Sequence, residues 1–240
     1  MRALVTTGLF AAALLTASLA AEAAGQALEP LPRDIEMRLA LSAAPEHWRD
    51  GATVYALDPR SGFKLARQGD NGSACIVGRT SWRNAYYRND ILIPICFDRA
   101  GVDTILPVHF EVEELRAKGA SAQEVHQIIS ANYASGKYQA PARAGVSPML
   151  SPILVVHGST DAEESVLLNY PHLMFYAPGV TMEDIGSRQR GDPTYPWVNE
   201  PGLHGYIIQP MGEAEKAQIN QSQKDLTDAL CALNSGWCLE

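Results

Sequence analysis

Two apolar runs that each carry a histidine near their start constrain this chain more than any other feature. Both have strand length, contain aromatic residues and are bounded by proline or glycine: residues 171–179 (PHLMFYAPG) and 203–210 (LHGYIIQP). Short apolar runs bounded by turn residues are typical of buried strands. We therefore predict that the two runs are neighbouring strands of one sheet. The aromatic loop between them, residues 186–202, is then expected at one edge of that sheet.

Composition favours a globular protein with a sizeable core. The chain has 240 residues, of which 46% are hydrophobic, so a single domain over residues 24–240 is the natural expectation. The formal net charge is −8. Binding to a phosphate backbone requires clustered lysine and arginine, so nucleic acid is not an expected partner.

The beginning of the sequence has the pattern of a signal peptide. Arg2 precedes an apolar run that extends from Leu9 to Leu19, and Ala21-Glu22-Ala23 fits the small-residue cleavage pattern. We expect residues 1–23 to be removed, which places the mature protein in the periplasm or outside the cell. The alternative is an uncleaved N-terminal anchor, although the run is short for a membrane span. No further span is expected after cleavage.

Four cysteines in an exported chain predict disulfides. Three pairings are possible, and proximity in sequence favours Cys75 with Cys96 and Cys231 with Cys238. The alternative is a zinc site, but the C-x₂₋₄-C spacing that lets neighbouring thiolates share one metal is absent.

Strand patterns are concentrated in residues 53–78. Three short segments with β-branched or aromatic residues are separated by turn sequences such as Asp70-Asn71-Gly72. Strands joined by short turns are antiparallel, so we predict a meander. Residues 91–97 are apolar, but Pro94 restricts them to the edge of a sheet.

Helical patterns cover much of the remaining chain. The clearest is at residues 121–135, where Ser121 and Glu124 form a capping box. Further helices are predicted at 34–44, 107–118, 161–168 and 212–233. The predicted fold is therefore α+β: an antiparallel sheet, built from the meander 53–78 and the strands near 172–176 and 204–209, with helices packed on it.

A possible catalytic motif occurs at Val155-Val156-His157-Gly158-Ser159. A strand followed by His-Gly resembles the oxyanion-hole turn of α/β-hydrolases. The nucleophile elbow G-x-S-x-G of those enzymes is absent from the sequence. The motif therefore does not favour a hydrolase.

Histidines could instead hold a metal. His157, His172 and His204, with a carboxylate, are suitable ligands for zinc or iron. No pair has the i, i+4 or H-x-H spacing that places two imidazoles on one metal. The alternative is that His172 and His204 donate hydrogen bonds to backbone carbonyls at the starts of their strands.

The aromatic loop offers rings, an amide and a carboxylate close together, a mixture that is common in recognition loops. It is also common in structural loops that cover a core. The candidate ligand-binding residues are His172, Tyr176, Tyr195, Trp197, Asn199, Glu200 and His204.

Several phrases of the sequence resemble a family of uncharacterised exported bacterial proteins. They are Asn71-Gly72 before Cys75, residues 94–98 (PICFD), 147–152 (SPMLSP), 171–178 (PHLMFYAP), 184–186 (DIG), 199–200 (NE) and 204–208 (HGYII). The resemblance extends from about Leu41 to Pro210. It implies bacterial export and a single domain, and it carries no activity, cofactor or catalytic residue.

Three functions are compatible with these patterns. The first is an exported binding or accessory module whose partner is a small molecule or an envelope protein. The second is a metal-dependent enzyme that uses His157, His172 and His204. The third is a non-catalytic envelope structural protein. No cofactor is predicted.

Overall fold

The computed structural model describes residues 28–159, 161, 163–192 and 194–239. The predicted signal peptide, residues 1–23, lies outside this part of the chain. Helices and mainly antiparallel sheets confirm the predicted α+β class. The way in which the strands are joined differs from the prediction.

The first sheet contains four strands: β1 (Thr53–Asp58), β2 (Gly62–Arg67), β3 (Ala74–Gly78) and β4 (Ile93–Phe97). Their order is β2-β1-β3-β4. β1 and β2 form an antiparallel hairpin, but β3 pairs in parallel with β1 over Thr53↔Ala74 and Val54↔Cys75. The predicted meander over residues 53–78 is therefore wrong.

The reason lies in the connection between β2 and β3, which crosses the start of β1. The amides of Asp70 and Asn71 both donate to the carbonyl of Gly51. A Cβ atom at Gly69 would lie 2.2 Å from that carbonyl oxygen. Glycine at position 69 permits this close approach, which delivers β3 to the other edge of β1.

Two features of this sheet were predicted correctly. β4, which contains Pro94, lies at the edge of the sheet. β3 and β4 are antiparallel, with Cys75 opposite Cys96, and these two cysteines form a disulfide. The predicted pairing of Cys231 with Cys238 is also present.

The second sheet contains the two histidine-bearing runs. Its strands are β5 (Val146–Met149), β8 (His172–Tyr176), β9 (Trp197–Asn199) and β10 (Tyr206–Pro210), in the order β5-β8-β10-β9. β8 and β10 are antiparallel neighbours, as predicted.

This sheet is separate from the first one, so the single sheet that was predicted is wrong. Three helices intervene in sequence between β4 and β5, and a short junction links the backbones of the two sheets. There, Asp98 N donates to Val146 O, and Val146 N donates to the Asp98 carboxylate.

Two further strands form a separate antiparallel ribbon, in which β6 (Leu154–His157) pairs with β7 (Ser165–Leu168). A helix over residues 161–168 was predicted, and this prediction is wrong. The apolar stretch Val166-Leu167-Leu168 is too short for its period to distinguish a strand from a helix. Pairing with β6 places Leu167 and Leu168 in contact with two different groups of buried apolar side chains.

The helices largely follow their predicted positions. Ser121 and Glu124 form the expected capping box, and a predicted helix over 212–233 is divided in two at Gln223. The helices are α1 (Arg33–Ser42), α2 (Glu46–Arg49), α3 (Arg99–Thr104), α4 (Leu106–Ala117), α5 (Ala122–Ala134), α6 (Glu213–Ser222) and α7 (Lys224–Leu233).

The core has three parts. One packs α1 and α7 against the first sheet around Leu39 and Leu230. The second lies between the two sheets around Phe97 and Met174. The third joins α4 to α5. Among the described residues, no helix combines the length and the apolar character needed to cross a bilayer.

Candidate functional site

A cavity of about 420 Å³ lies against the inner face of the second sheet. This volume falls within the range of roughly 300–1,000 Å³ that is usual for small-molecule sites. The sheet contributes residues from all four of its strands. Side chains alternate between the two faces of a strand, and the pairing aligns those that face the cavity: Met149, His172, Met174, Trp197, Asn199, Tyr206 and Ile208.

The opposite wall is mostly apolar and comes from β4, β6, β7 and the first turns of α4. Its residues are Ile93, Ile95, Leu154, Val156, Leu168, Ile105 and Val108. Polar side chains enter this wall at His109 on α4, at Tyr133 on α5 and at the turn around Trp82–Asn84. The result is an apolar chamber with a few fixed polar groups.

His172 is the most buried polar side chain on the sheet side of the cavity, with 3% of its surface exposed. Its Nδ1 lies 2.7 Å from the carbonyl oxygen of Tyr170. A carbonyl oxygen only accepts, so Nδ1 carries the proton. Burial lowers the pKa of His172 to about 4, so the ring is neutral at pH 7. In this tautomer Nε2 is an acceptor, and no other described residue bonds to it.

His204 also lines the cavity, but both of its ring nitrogens are used. Nε2 donates to the carbonyl of Gln139 at 2.9 Å, and Nδ1 accepts from the hydroxyl of Tyr133 at 2.8 Å. Burial lowers the pKa of His204. The prediction that His172 and His204 donate to backbone carbonyls is therefore confirmed. His204 holds the Tyr133 ring in place at the cavity wall.

His109 is a third histidine at the cavity. Its ring packs on Phe97, with centroids 5.5 Å apart, and neither nitrogen is hydrogen bonded to another described residue. Burial lowers the pKa of His109 to about 4, with smaller contributions from Arg83 and His204. Like His172, it is neutral at pH 7.

Charged residues occur where the cavity opens to solvent. Arg83 Nε lies 3.3 Å from Glu200 Oε2, and both side chains are more than a third exposed. The Arg83 guanidinium also covers the ring of Trp82 at 4.2 Å, and Trp82 stacks on Tyr133. Glu200 has a backbone φ of 52°, in the left-handed region. The positive and negative charges at the mouth are therefore paired with each other.

The structure places five of the seven predicted ligand-binding residues at this cavity: His172, Trp197, Asn199, Glu200 and His204. Tyr176 is on the same face of β8 as His172 and Met174 but does not line the cavity, and its hydroxyl bonds to Asp98 and Ser147. Tyr195 lies outside the cavity; it is 47% exposed, and its hydroxyl donates to the carbonyl of Ile185. Neither tyrosine lines the cavity.

The three histidines proposed for a metal site do not converge. His172 and His204 line the cavity, whereas His157 lies at the end of β6 beside Tyr86. Within the described ranges, no group of three histidine, cysteine or acidic residues is placed to hold a metal ion. The metal site built on His157, His172 and His204 is therefore contradicted.

Sequence reasoning missed several polar or aromatic residues of the cavity, among them Trp82, Arg83, His109 and Tyr133. Trp82 and Arg83 lie in a segment that is visibly rich in aromatic and basic residues, which was the available signal. Tyr133 belongs to the apolar face of α5, where an aromatic residue usually means core packing. His109 occupies a helical position that the sequence does not distinguish from any other.

Comparisons with models of known protein families, with curated proteins and with solved structures yield no match. The resemblance to exported bacterial proteins therefore stays a prediction. The function has to be argued from the geometry of the cavity.

Proposed function

We propose that this protein binds a small molecule in the cavity between the second sheet and helices α4 and α5. One observation carries the proposal: a mostly apolar cavity contains polar groups that the rest of the described chain leaves without partners. His172 Nε2, the His109 ring and the Asn199 amide are these groups. A ligand that fills the cavity shields these groups from water and has to pair them, because a polar group buried without a partner costs about 1–3 kcal/mol. A ligand would supply the missing bonds.

The chemistry of the walls also supports binding. Small-molecule sites combine a large apolar surface with a few fixed polar groups, and this cavity has Met174, Ile208 and Trp197 beside His172. Trp197 is itself fixed, since its Nε1 donates to the Tyr170 hydroxyl at 3.2 Å.

The proposed location is the periplasm or the exterior of a bacterial cell. Two disulfides support it, because disulfides persist in oxidising compartments. The signal-peptide pattern of residues 1–23 and the resemblance to exported bacterial proteins support it as well. The protein would then act as an exported binding or accessory module.

Two neighbouring isoleucines on β10 provide a matched test. Ile208 faces the cavity, whereas Ile207 lies on the other face of the same strand and does not line it. We expect Ile208→Phe to fill part of the chamber and Ile207→Phe to leave it open. The probe is N-phenyl-1-naphthylamine, a neutral apolar dye whose fluorescence rises when it leaves water.

The expected result is saturable dye binding by the wild type and by Ile207→Phe, with binding by Ile208→Phe weakened about tenfold or more. Thermal unfolding of all three proteins confirms that each is folded. Equal binding by the two variants, or no saturable binding by the folded wild type, would contradict the proposed function.

A further inference from the structure

We infer that the ligand of the cavity is a neutral, mainly apolar molecule that carries a hydroxyl or N–H group, and that this group donates a hydrogen bond to Nε2 of His172. The inference rests on the proposed binding function and adds the chemical class of the ligand. It is carried by the direction in which His172 can bond, together with the charges and the size of the cavity.

The first step is the tautomer of His172. Its Nδ1 is 2.7 Å from the carbonyl oxygen of Tyr170, and this contact requires a proton on Nδ1. The Tyr170 ring also packs against the imidazole, with centroids 5.0 Å apart, so the side chain is held in one orientation. With the proton fixed on Nδ1, Nε2 of the neutral ring presents a lone pair to the cavity and only accepts.

The second step is the charge inside the chamber. A cation in the chamber would attract an anionic ligand, but burial keeps His172 and His109 neutral at pH 7. His204 is neutral and has both nitrogens occupied. Arg83 lies at the mouth and is paired with Glu200. A carboxylate ligand would therefore lose its hydration without gaining a cation.

The third step is size. A volume of about 420 Å³ lies toward the lower end of the range of roughly 300–1,000 Å³ that is usual for small-molecule sites. An aromatic or alicyclic alcohol, or a phenol with a short alkyl substituent, fits this space. Its ring would pack among Met174, Ile208 and Trp197, which line the cavity.

The tautomer is tested directly by ¹⁵N NMR of the wild-type imidazoles at pH 7. We expect His172 to be neutral with the proton on Nδ1, and its Nε2 resonance to shift when a hydroxyl ligand is added. A protonated Nε2, or a charged ring, would overturn the inference without any substitution in the protein.

Three matched probes test the ligand class: 4-propylphenol, 4-propylanisole and 4-propylbenzoate, each measured by displacement of N-phenyl-1-naphthylamine. The anisole is the more apolar of the first two, so hydrophobicity alone favours it. We expect the phenol to bind about tenfold more tightly, because the ether leaves Nε2 of His172 buried without a donor. The benzoate is expected to bind more weakly than either.

His172→Phe keeps a ring at this position and removes the acceptor, so the preference for the phenol over the anisole should fall to about onefold. His47→Phe, the same change at an exposed residue outside the cavity, is the control and should keep the tenfold preference. If His172→Phe does not fold, the NMR result and the wild-type preference still decide the inference.

The outcomes separate the two proposals. If the wild type binds the dye but binds the anisole or the benzoate at least as tightly as the phenol, the ligand class is wrong and the binding function stands. If the wild type does not bind the dye, the proposed function itself fails, and the inference fails with it.

Discussion

Glu36 on α1 should make the stability of this protein fall as the pH rises from about 4.5 to about 7. The side chain is 4% exposed, and its Oε1 accepts a hydrogen bond from Leu57 N on β1 at 2.7 Å. Burial raises the pKa of Glu36 from 4.5 to about 7; the bond from Leu57 and the charges of Arg79 and Arg33 oppose this rise without cancelling it.

The magnitude follows from proton linkage. Between pH 4.5 and about pH 7 the folded protein holds a proton on Glu36 that the unfolded chain has lost. Folding is therefore penalised progressively over that window, and the penalty is complete above about pH 7. At about 1.4 kcal/mol per pKa unit, the shift corresponds to about 3 kcal/mol of lost stability.

Glu36→Gln isolates this contribution. The amide oxygen can still accept from Leu57 N, but the side chain no longer ionises. We expect the free energy of unfolding of the wild type, minus that of Glu36→Gln, to fall by about 3 kcal/mol between about pH 4.5 and about pH 7. Urea unfolding followed by tryptophan fluorescence at several pH values measures both proteins. Parallel stability curves across this window would refute the argument.

Glu124→Gln is a control of the opposite sign. Hydrogen bonds from the backbone N–H and the hydroxyl of Ser121 lower the pKa of Glu124. The stability that ionised Glu124 contributes is fully present above the pKa of Glu124 in the unfolded chain. It is lost as the pH falls through the lower pKa of Glu124 in the folded protein. The free energy of unfolding of the wild type, minus that of Glu124→Gln, should therefore rise with pH below about pH 4.5, whereas the corresponding difference for Glu36→Gln falls between about pH 4.5 and about pH 7.

Two further predictions concern residues near the cavity. Tyr176→Phe should cost about 2–4 kcal/mol of unfolding free energy, because it removes a hydroxyl bonded to the Asp98 carboxylate and leaves the buried Ser147 hydroxyl short of a partner. The exposed Tyr195→Phe should change stability by less than about 0.5 kcal/mol, and similar losses in urea unfolding of the two variants would contradict this contrast. Glu200→Gly should be about 1 kcal/mol more stable than Glu200→Ala. Both variants lose the ion pair with Arg83, but only glycine adopts the backbone φ of 52° without strain. Equal urea midpoints for the two variants would show that the backbone at position 200 is not strained.

The sequence was sufficient for elements whose partners are set by local pattern. β8 and β10 were predicted as neighbours because both are apolar runs bounded by proline or glycine, and such runs have to pair inside the protein. The pairing of β3 with β1 could not be predicted in the same way. It depends on the close backbone contact between Gly69 and Gly51. This is a tertiary contact, and the hydrophobic periodicity of the sequence gives no signal for it.

In the candidate site, too, some residues are evident from local sequence pattern, whereas others are brought to the cavity only by the fold. Trp197, Asn199 and Glu200 were found because they form a mixture of rings and polar groups next to a predicted strand. His109 was not, because a histidine within an amphipathic helix is compatible with either a core or a cavity. Its position at the cavity is decided by how α4 packs against β4 and the second sheet, which is a property of the assembled fold.

One hydrogen bond accounts for both the structural role of His172 and its proposed role in ligand binding. From sequence, donation to a backbone carbonyl was the alternative to a role in binding, since a histidine satisfied in that way needs no ligand. In the structure the bond to Tyr170 satisfies only one of the two ring nitrogens. By fixing the proton on Nδ1, it obliges Nε2 to accept, and the apolar cavity offers Nε2 no donor from the described chain. His204 makes the same kind of backbone bond, but Tyr133 occupies its other nitrogen, so His204 supports the wall while His172 is left to recognise a ligand.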